Sequence, residues 1–226
     1  MNVLRQHAPA MAPLPPAQIE PNAGSFVVLD DVLAPRACRE LIAEADADRW
    51  VTSTAELNRA RTPGRPVRAT LAPRRVSEPS EPRHLVGTQQ RPRFALIEAP
   101  LLALRLFYRL VAELPLSREG AELAGLKPLF RCTEFRAGEG TRAHCDPTRE
   151  TPEGQRSQLS VVVFLNEGYR GGAVYFPELG RRVAARAGRA IVFPHGLSHV
   201  DECVESGRKF VLETEVFYDH GWYPYP

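Results

Sequence analysis

The sequence contains little cysteine, no long apolar run and almost no excess of charge of either sign. Its four cysteines include no CxxC pair, so their spacing gives neither a disulfide framework nor a zinc motif. No apolar segment approaches membrane-spanning length, and the N-terminus lacks the continuous apolar stretch of a signal peptide. The net charge of +2 gives no global argument for nucleic-acid binding. We therefore expect a cytoplasmic protein in a reducing setting, with no nucleic-acid partner and no membrane partner.

The 226 residues are enough for one sizeable core, and we predict a single domain over residues 25–226. Residues 1–24 are rich in proline and alanine and are predicted to form an extended or disordered lead. Helical support is expected within residues 35–114, beginning with a helix at Pro35. Residues 51–93 are rich in arginine and proline without a lasting period, and the sequence does not define their role.

The second half of the chain changes character from helical to strand-like. Apolar residues recur at helical spacing from Phe94 to Leu114, which predicts a helix that Pro100 either kinks or divides into two. From residue 127 to 218, short apolar runs alternate with glycine-containing turns. This order of elements predicts an α+β fold, a double-stranded β-helix (jelly-roll, cupin-like) barrel buttressed by N-terminal helices.

A His-Cys-Asp sequence follows a glycine-rich turn in this strand-like region. Side chains alternate on a strand, so His144 and Asp146 would share one face and Cys145 the other. His199, after a further apolar run, is the candidate for a third ligand, and His195 is the alternative. Two imidazoles and one carboxylate on one face of an ion leave coordination positions open, which suits non-haem Fe(II).

Several further motifs follow in a fixed order. They are the buried run VVVFLN at 161–166, the run GGAVYF at 171–176, His199, and then Gly207 and Lys209. This series resembles the prolyl 4-hydroxylase-like family of Fe(II)/2-oxoglutarate-dependent dioxygenases, over about residues 25–218. The resemblance implies Fe(II) held by His144, Asp146 and His199, with no catalytic residue beyond these ligands. It also implies that Lys209 binds the far carboxylate of 2-oxoglutarate.

The position of Lys209 gives a separate physical reason to expect an anionic partner. It lies in an apolar strand, where a lone buried cation is costly and needs an anionic partner. Two alternatives stay open: Lys209 extends to solvent, or Arg208, on the other face, replaces it. Asp201 is expected to be a solvated loop residue. Phe135 and Phe164 stand where relatives in the resembling family carry tyrosine, which removes hydroxyls from the expected co-substrate site.

The resemblance implies hydroxylation of an unactivated C–H bond in a prolyl or amino-acid-type substrate or a natural product. O2 and 2-oxoglutarate would be consumed, succinate and CO2 released, and ascorbate used as the reductant. Arg131 and Arg136 are candidates for contact with a carboxylate of a small-molecule or peptide substrate. The alternative is a non-catalytic jelly-roll module that binds or senses a small acid or peptide. A cupin-type isomerase is disfavoured because the HxH motif is missing. The sequence does not indicate an oligomeric state.

Overall fold

The computed structural model describes residues 18–20, 26–47, 50–51 and 92–221. Most of the predicted lead and of the arginine- and proline-rich segment lies outside these residues. The helices are α1 (Pro35–Ala47) and α2 (Pro100–Leu110), and a 3-10 turn at Val111–Glu113 follows α2. The strands that precede the His-Cys-Asp sequence are β1 (Gln18–Glu20), β2 (Phe26–Leu29), β3 (Arg93–Glu98), β4 (Ser117–Arg118), β5 (Ala121–Leu126) and β6 (Leu129–Arg136). Those that follow it are β7 (Arg156–Phe164), β8 (Arg170–Gly171), β9 (Val174–Phe176), β10 (Arg181–Val183), β11 (Ala190–Pro194), β12 (Val200–Asp201), β13 (Val204–Ser206) and β14 (Arg208–Asp219).

The last strand, β14, is the centre of a nine-stranded antiparallel sheet. One edge of β14 pairs with β7, and the other edge pairs first with β6 and then with β5. Beyond β7 the order continues through β11 and β2 to β1, and β3 pairs with the outer edge of β6. Every residue of β7 after Arg156 is buried, as expected for a strand covered on both faces.

The two faces of this sheet bury separate apolar cores. Phe210 and Leu212 of β14 belong to the core shared with the helices, where Leu106 and Leu110 of α2 are fully buried. Val211 belongs to the second core. That second core lies inside the barrel and is dominated by aromatic rings, namely Phe26, Phe135, Phe164, Phe176 and Phe193. Strand alternation therefore directs Lys209, two residues before Val211, into the barrel.

Two small sheets close the barrel opposite the large one. Strand β9 pairs with β10 and β12, and β8 pairs with β13, all antiparallel. The curled large sheet, the small sheets and the two supporting helices form the predicted jelly roll, so the expected fold class is confirmed. In the described part of the chain, no helix has the length and apolar character needed to cross a bilayer.

The helix predicted from Phe94 to Leu114, kinked or divided at Pro100, is wrong for the part before that proline. Arg93–Glu98 is a strand that pairs along its whole length with β6, and the helix begins only at Pro100. Phe94 and Ile97 are both buried although they lie on opposite faces of the strand, and their three-residue spacing also fits a helix, so this short run cannot distinguish a helix from a strand. Pro100 is suited to the first turn of a helix rather than to its interior, because it has no N–H to donate.

Candidate metal centre

His144 and His199 are joined through their main chains, although 54 residues separate them in the sequence. Each backbone N–H donates to the carbonyl of the other residue, at 3.1 and 3.0 Å. This is a single bridge rather than a ladder, so the predicted strand character of the His-Cys-Asp sequence is limited to His144. Residues that exchange both hydrogen bonds direct their side chains to the same face, and the two imidazole centroids lie 4.3 Å apart.

Asp146 completes the cluster. Its Oδ1 lies 3.9 Å from His144 Nε2, and its Oδ2 lies 4.0 Å from His199 Nε2. One donor atom from each of the three side chains lies within 4.8 Å of the others. The structure therefore brings together the three predicted ligands, and among the described residues they form the only such group of histidine, cysteine and carboxylate side chains.

Hydrogen bonds determine which imidazole nitrogen faces the cluster. His144 Nδ1 lies 2.9 Å from the Arg142 carbonyl, and His199 Nδ1 lies 3.3 Å from the Leu197 carbonyl. A carbonyl only accepts, so both Nδ1 atoms carry the hydrogen and both Nε2 atoms keep a free lone pair. These lone pairs are directed to the side where Asp146 lies, which is the arrangement that a divalent transition metal requires.

His199 is held in an apolar wall while His144 is open to solvent. The rings of Phe193 and Phe176 lie 4.7 and 5.9 Å from the His199 imidazole. Burial lowers the pKa of His199 below its usual value, although the charge of Asp146 opposes this effect. The neutral imidazole is the form that binds a metal, so this environment favours the ligand form. Because the His144 side chain is 42% exposed, a small molecule can reach the cluster from that side.

His195, the alternative ligand, is not part of the cluster. It is buried, and neither ring nitrogen has a hydrogen-bond partner among the described residues. Its role is in the main chain, because its carbonyl accepts a hydrogen bond of 3.0 Å from the Asp146 N–H. His195 therefore fixes the backbone of a cluster residue, while its ring is not one of the three clustered donor groups.

Lys209 is fully buried, so the alternative in which it extends to solvent is excluded. Its Nζ lies 2.6 Å from Oδ1 of Asp201, and the rings of Phe135 and Phe164 lie 4.9 and 5.7 Å from Nζ. Arg208 lies on the other face of β14 and pairs with Glu134. The expectation that Asp201 is a solvated loop residue is wrong, because its side chain is 10% exposed and provides the anionic partner of Lys209.

Tyr169 also lies near the Lys209–Asp201 pair, and no sequence motif had indicated it. Its hydroxyl is buried and has no hydrogen-bond partner among the described residues. Burial raises the pKa of Tyr169, and the charge of Asp201 raises it further. A Cβ atom on Gly172 would lie 3.0 Å from the Tyr169 ring and 3.3 Å from Lys209 Cδ, so the ring and the lysine stem both lie against Gly172. The glycine pair at 171–172 was the available signal for this close approach.

The two candidate substrate arginines lie on opposite faces of the large sheet. Arg131 is opposite Glu213 in the β6–β14 register and shares the barrel face with Phe135 and Lys209. It lies over the Phe94 ring, and its Nε is 3.6 Å from a Glu213 carboxylate oxygen. Arg136 lies on the face directed away from the barrel and pairs there with Glu134 at 3.4 Å. The structure thus brings Arg131, and not Arg136, to the side of the candidate site.

No protein-family model and no curated protein sequence matches the chain, but solved structures do. One is a viral collagen prolyl hydroxylase from Paramecium bursaria Chlorella virus 1 in complex with 2-oxoglutarate. It matches with a TM-score of 0.55 at 14% identity, over 85% of this chain and 96% of that chain. A prolyl-4-hydroxylase from Pseudomonas putida matches with a TM-score of 0.52 at 16% identity, over 85% and 92%.

A third match is a prolyl hydroxylase from Trichoplax adhaerens in complex with a hypoxia inducible factor peptide fragment. Its TM-score is 0.51 at 14% identity, and the match covers 87% of this chain and 84% of that chain. The fold is thus that of an Fe(II)/2-oxoglutarate oxygenase barrel. Within that class the chain has the prolyl 4-hydroxylase-like fold, and the resemblance found in the sequence is confirmed at the level of the fold.

Proposed function

We propose that this protein is an Fe(II)- and 2-oxoglutarate-dependent dioxygenase that hydroxylates an unactivated C–H bond. The observation that carries the proposal is the cluster of His144 Nε2, Asp146 and His199 Nε2, with donor atoms within 4.8 Å. Two neutral imidazoles and one carboxylate are the donor set of non-haem Fe(II) oxygenases, so the residues fit the ion. The prolyl hydroxylase-like fold supports the same class.

The bound ion would supply the redox chemistry, in which one oxygen atom of O2 enters the product alcohol and the other enters succinate as CO2 leaves. The role of the protein is to position the reactants. His144, Asp146 and His199 would hold the ion from one side and leave the opposite side for the keto acid group of the co-substrate. Lys209, further inside the barrel, is the one buried ammonium among the described residues and the candidate partner for its far carboxylate.

The barrel core would keep the reaction dry. Phe176 and Phe193 pack against His199, and Phe135 and Phe164 flank Lys209, so the wall between the two sites is aromatic. A water-excluded wall strengthens the ion pairs within it and limits loss of the oxidant to solvent. His144 is exposed, which gives a substrate access from the open end of the barrel.

The test is succinate release by purified protein supplied with Fe(II), ascorbate, 2-oxoglutarate and candidate substrates. Prolyl peptides, free amino acids such as proline, and natural-product intermediates are the classes to screen, with mass spectrometry for a gain of one oxygen atom. Arg131, on the barrel face, is the proposed contact for a substrate carboxylate. Ascorbate is included as the proposed reductant.

His144→Ala is expected to abolish succinate release. His220→Ala is the matched control, because His220 is exposed and not a member of the cluster. Protein that retains its fold but neither releases succinate nor binds 2-oxoglutarate by calorimetry would contradict the proposal. A cytoplasmic setting fits the requirement for ferrous iron and stays a prediction.

One observation favours a second function, a non-catalytic module that binds a small acid or a peptide. Lys209 already has a carboxylate partner within the chain, so its charge does not require a ligand. The two functions differ in the effect of His144→Ala. In an oxygenase this change removes turnover, whereas in a binding module it weakens affinity for a ligand that is never consumed.

A further inference from the structure

The ion pair between Lys209 and Asp201 lies where the proposed function would place the far carboxylate of the co-substrate. Nζ and Oδ1 lie 2.6 Å apart, Lys209 is fully buried, and the Asp201 side chain is 10% exposed. No other carboxylate in the described part of the chain lies within ion-pair distance of Lys209. The charge of the ammonium group is thus already balanced before any ligand arrives.

The main chain of Asp201 is fixed, so only its side chain can leave Lys209. Asp201 pairs with Val174 across β12 and β9. Its N–H donates to Thr141 Oγ1 at 2.8 Å, and its carbonyl accepts from the Thr141 N–H at 2.9 Å. Gly140 also lies so close that a Cβ there would be 2.7 Å from the Asp201 carbonyl oxygen. A ligand can therefore displace the carboxylate only by rotating it about its side-chain bonds.

The far carboxylate of a ligand gains little binding free energy beside Lys209 while the Asp201 carboxylate remains there. The aromatic faces of Phe135 and Phe164 stabilise a cation but donate nothing to an anion. Two carboxylates sharing one buried ammonium leave one negative charge uncompensated, and a buried charge without a partner is strongly disfavoured. An incoming anion must therefore take the ammonium from Asp201 and leave Asp201 to find another partner.

Resting on the proposed dioxygenase function, we propose that Asp201 competes with the far carboxylate of the 2-oxo acid for Lys209. Asp201 is then a specificity-determining residue. With it in place, the pocket discriminates little between 2-oxoglutarate and a 2-oxo acid of the same length with an uncharged end. Without it, Lys209 is released for the ligand, and the preference for 2-oxoglutarate becomes strong.

The test is calorimetric binding of 2-oxoglutarate and of 2-oxopentanoate to the Mn(II)-loaded protein. 2-Oxopentanoate has the same carbon chain and lacks the far carboxylate. For the wild type we expect the dissociation constants of the two acids to lie within about threefold of each other. In Asp201→Asn the ammonium group is free to bind the far carboxylate, and this hydrogen bond should favour 2-oxoglutarate by about tenfold or more. The affinity of Asp201→Asn for 2-oxopentanoate should stay at the wild-type value.

Glu202→Gln is the matched control, because it removes the neighbouring carboxylate, which pairs with Arg182 and not with Lys209. It should leave both dissociation constants unchanged. The double variant Asp201→Asn/Lys209→Met removes both charges and should discriminate as weakly as the wild type. If Asp201→Asn does not fold, the preference for 2-oxoglutarate over 2-oxopentanoate, compared between the wild type and this double variant, still tests the proposal.

Two results would overturn the proposal. One is a wild-type preference for 2-oxoglutarate of about tenfold or more that the double variant loses, because Lys209 would then bind the ligand despite Asp201. The other is an Asp201→Asn variant that discriminates no better than the wild type. If Mn(II) binds but neither acid binds any form of the protein, the dioxygenase function itself fails, and this outcome differs from both.

Discussion

Ser160 and Asp146 are joined by a short hydrogen bond in which the Ser160 hydroxyl donates to Asp146 Oδ2. Ser160 lies on β7 on the same face as Val162 and Phe164, so its position is fixed by the large sheet. Asp146 lies outside any strand and depends on this contact and on the main chain of His195 for its orientation. The hydroxyl thus links the only carboxylate of the candidate metal cluster to the rigid part of the barrel.

We predict that Ser160→Ala weakens metal binding without removing a ligand. Loss of a hydrogen bond that orients a ligating carboxylate typically lowers metal affinity about tenfold or more. The measurement is calorimetric titration with Mn(II) or Co(II). Ser206→Ala, at an exposed position of β13, is the control and should bind as the wild type does. Equal affinities in all three proteins would show that Asp146 does not need Ser160, or does not bind the metal.

The sequence predicted this cluster from the spacing of His144 and Asp146 and from the ordered motifs that end with His199 and Lys209. The strand expected at 144–146 does not form, and the Ser160 hydroxyl and the His195 carbonyl orient Asp146 instead. The partner of Lys209 was not predictable in the same way. Whether the side chain of Asp201 faces solvent or the barrel depends on the pairing of β12 with β9, and a two-residue strand has no periodic pattern of its own.

The dependence on long-range pairing also explains the two other differences between prediction and structure, at Arg93–Glu98 and at Tyr169. The run Arg93–Glu98 fits both a helical and a strand period, and only the edge of β6 decides between them. Tyr169 precedes a glycine pair whose positive φ angles bring the chain back over its ring, and these angles are a property of the fold. Sequence patterns therefore predict which residues are apolar or ligating, whereas long-range pairing decides which polar groups meet.

Gly172→Ala should destabilise the protein through a specific contact. Gly172 has a φ of +67°, and an added Cβ would lie 3.0–3.3 Å from Tyr169, Val204 and Lys209. Gly180 is the matched control, because it has a φ of +59° and no atom within 4 Å of the added Cβ. Both variants should lose about 1 kcal/mol of unfolding free energy from the left-handed backbone. Gly172→Ala should lose about 1–3 kcal/mol more from overpacking.

Urea denaturation of the two variants measures this difference directly. Equal losses at the two positions would mean that the pocket around Lys209 accommodates a methyl group. In that case the close approach of Tyr169 and Lys209 to Gly172 is not a constraint on the residue at position 172.

Glu134 makes the folded protein sensitive to acid. Its side chain is fully buried and pairs with Arg93, Arg136 and Arg208. Burial alone would raise the pKa of Glu134, but the hydrogen bonds and charges of Arg93 and Arg208 outweigh it and hold the pKa below the usual value. A lowered pKa in the folded state contributes stability above the unfolded pKa of about 4.3, and this contribution is lost as the pH falls further.

We therefore predict that Glu134→Gln is less stable than the wild type at pH 7 and that the difference shrinks at about pH 3. Urea denaturation at the two pH values measures it. Glu205→Gln removes an exposed partner of Arg170 and should match the wild type at both. A difference between Glu134→Gln and the wild type that stays constant with pH would contradict the assigned cause.

The Tyr169 hydroxyl, which has no hydrogen-bond partner in the described part of the chain, predicts opposite effects on stability and on ligand binding. A buried hydroxyl without a partner costs about 1–3 kcal/mol, so Tyr169→Phe should raise the free energy of unfolding of the ligand-free protein. Tyr218→Phe is the matched control, because the Tyr218 hydroxyl donates to the Pro115 carbonyl at 3.0 Å. Its removal should instead lower stability, by about 1 kcal/mol.

The affinity for 2-oxoglutarate should fall in Tyr169→Phe, although the stability of the ligand-free protein should rise. When a ligand carboxylate takes Lys209, either that carboxylate or the displaced Asp201 needs a donor, and the Tyr169 hydroxyl beside them is free to provide one. Calorimetry should therefore show affinity for 2-oxoglutarate reduced about threefold to tenfold in Tyr169→Phe and unchanged in Tyr218→Phe. A Tyr169→Phe protein that is more stable and binds 2-oxoglutarate equally well would show that neither carboxylate uses this hydroxyl. A destabilised Tyr169→Phe protein would instead show that the hydroxyl already has a partner in the free state.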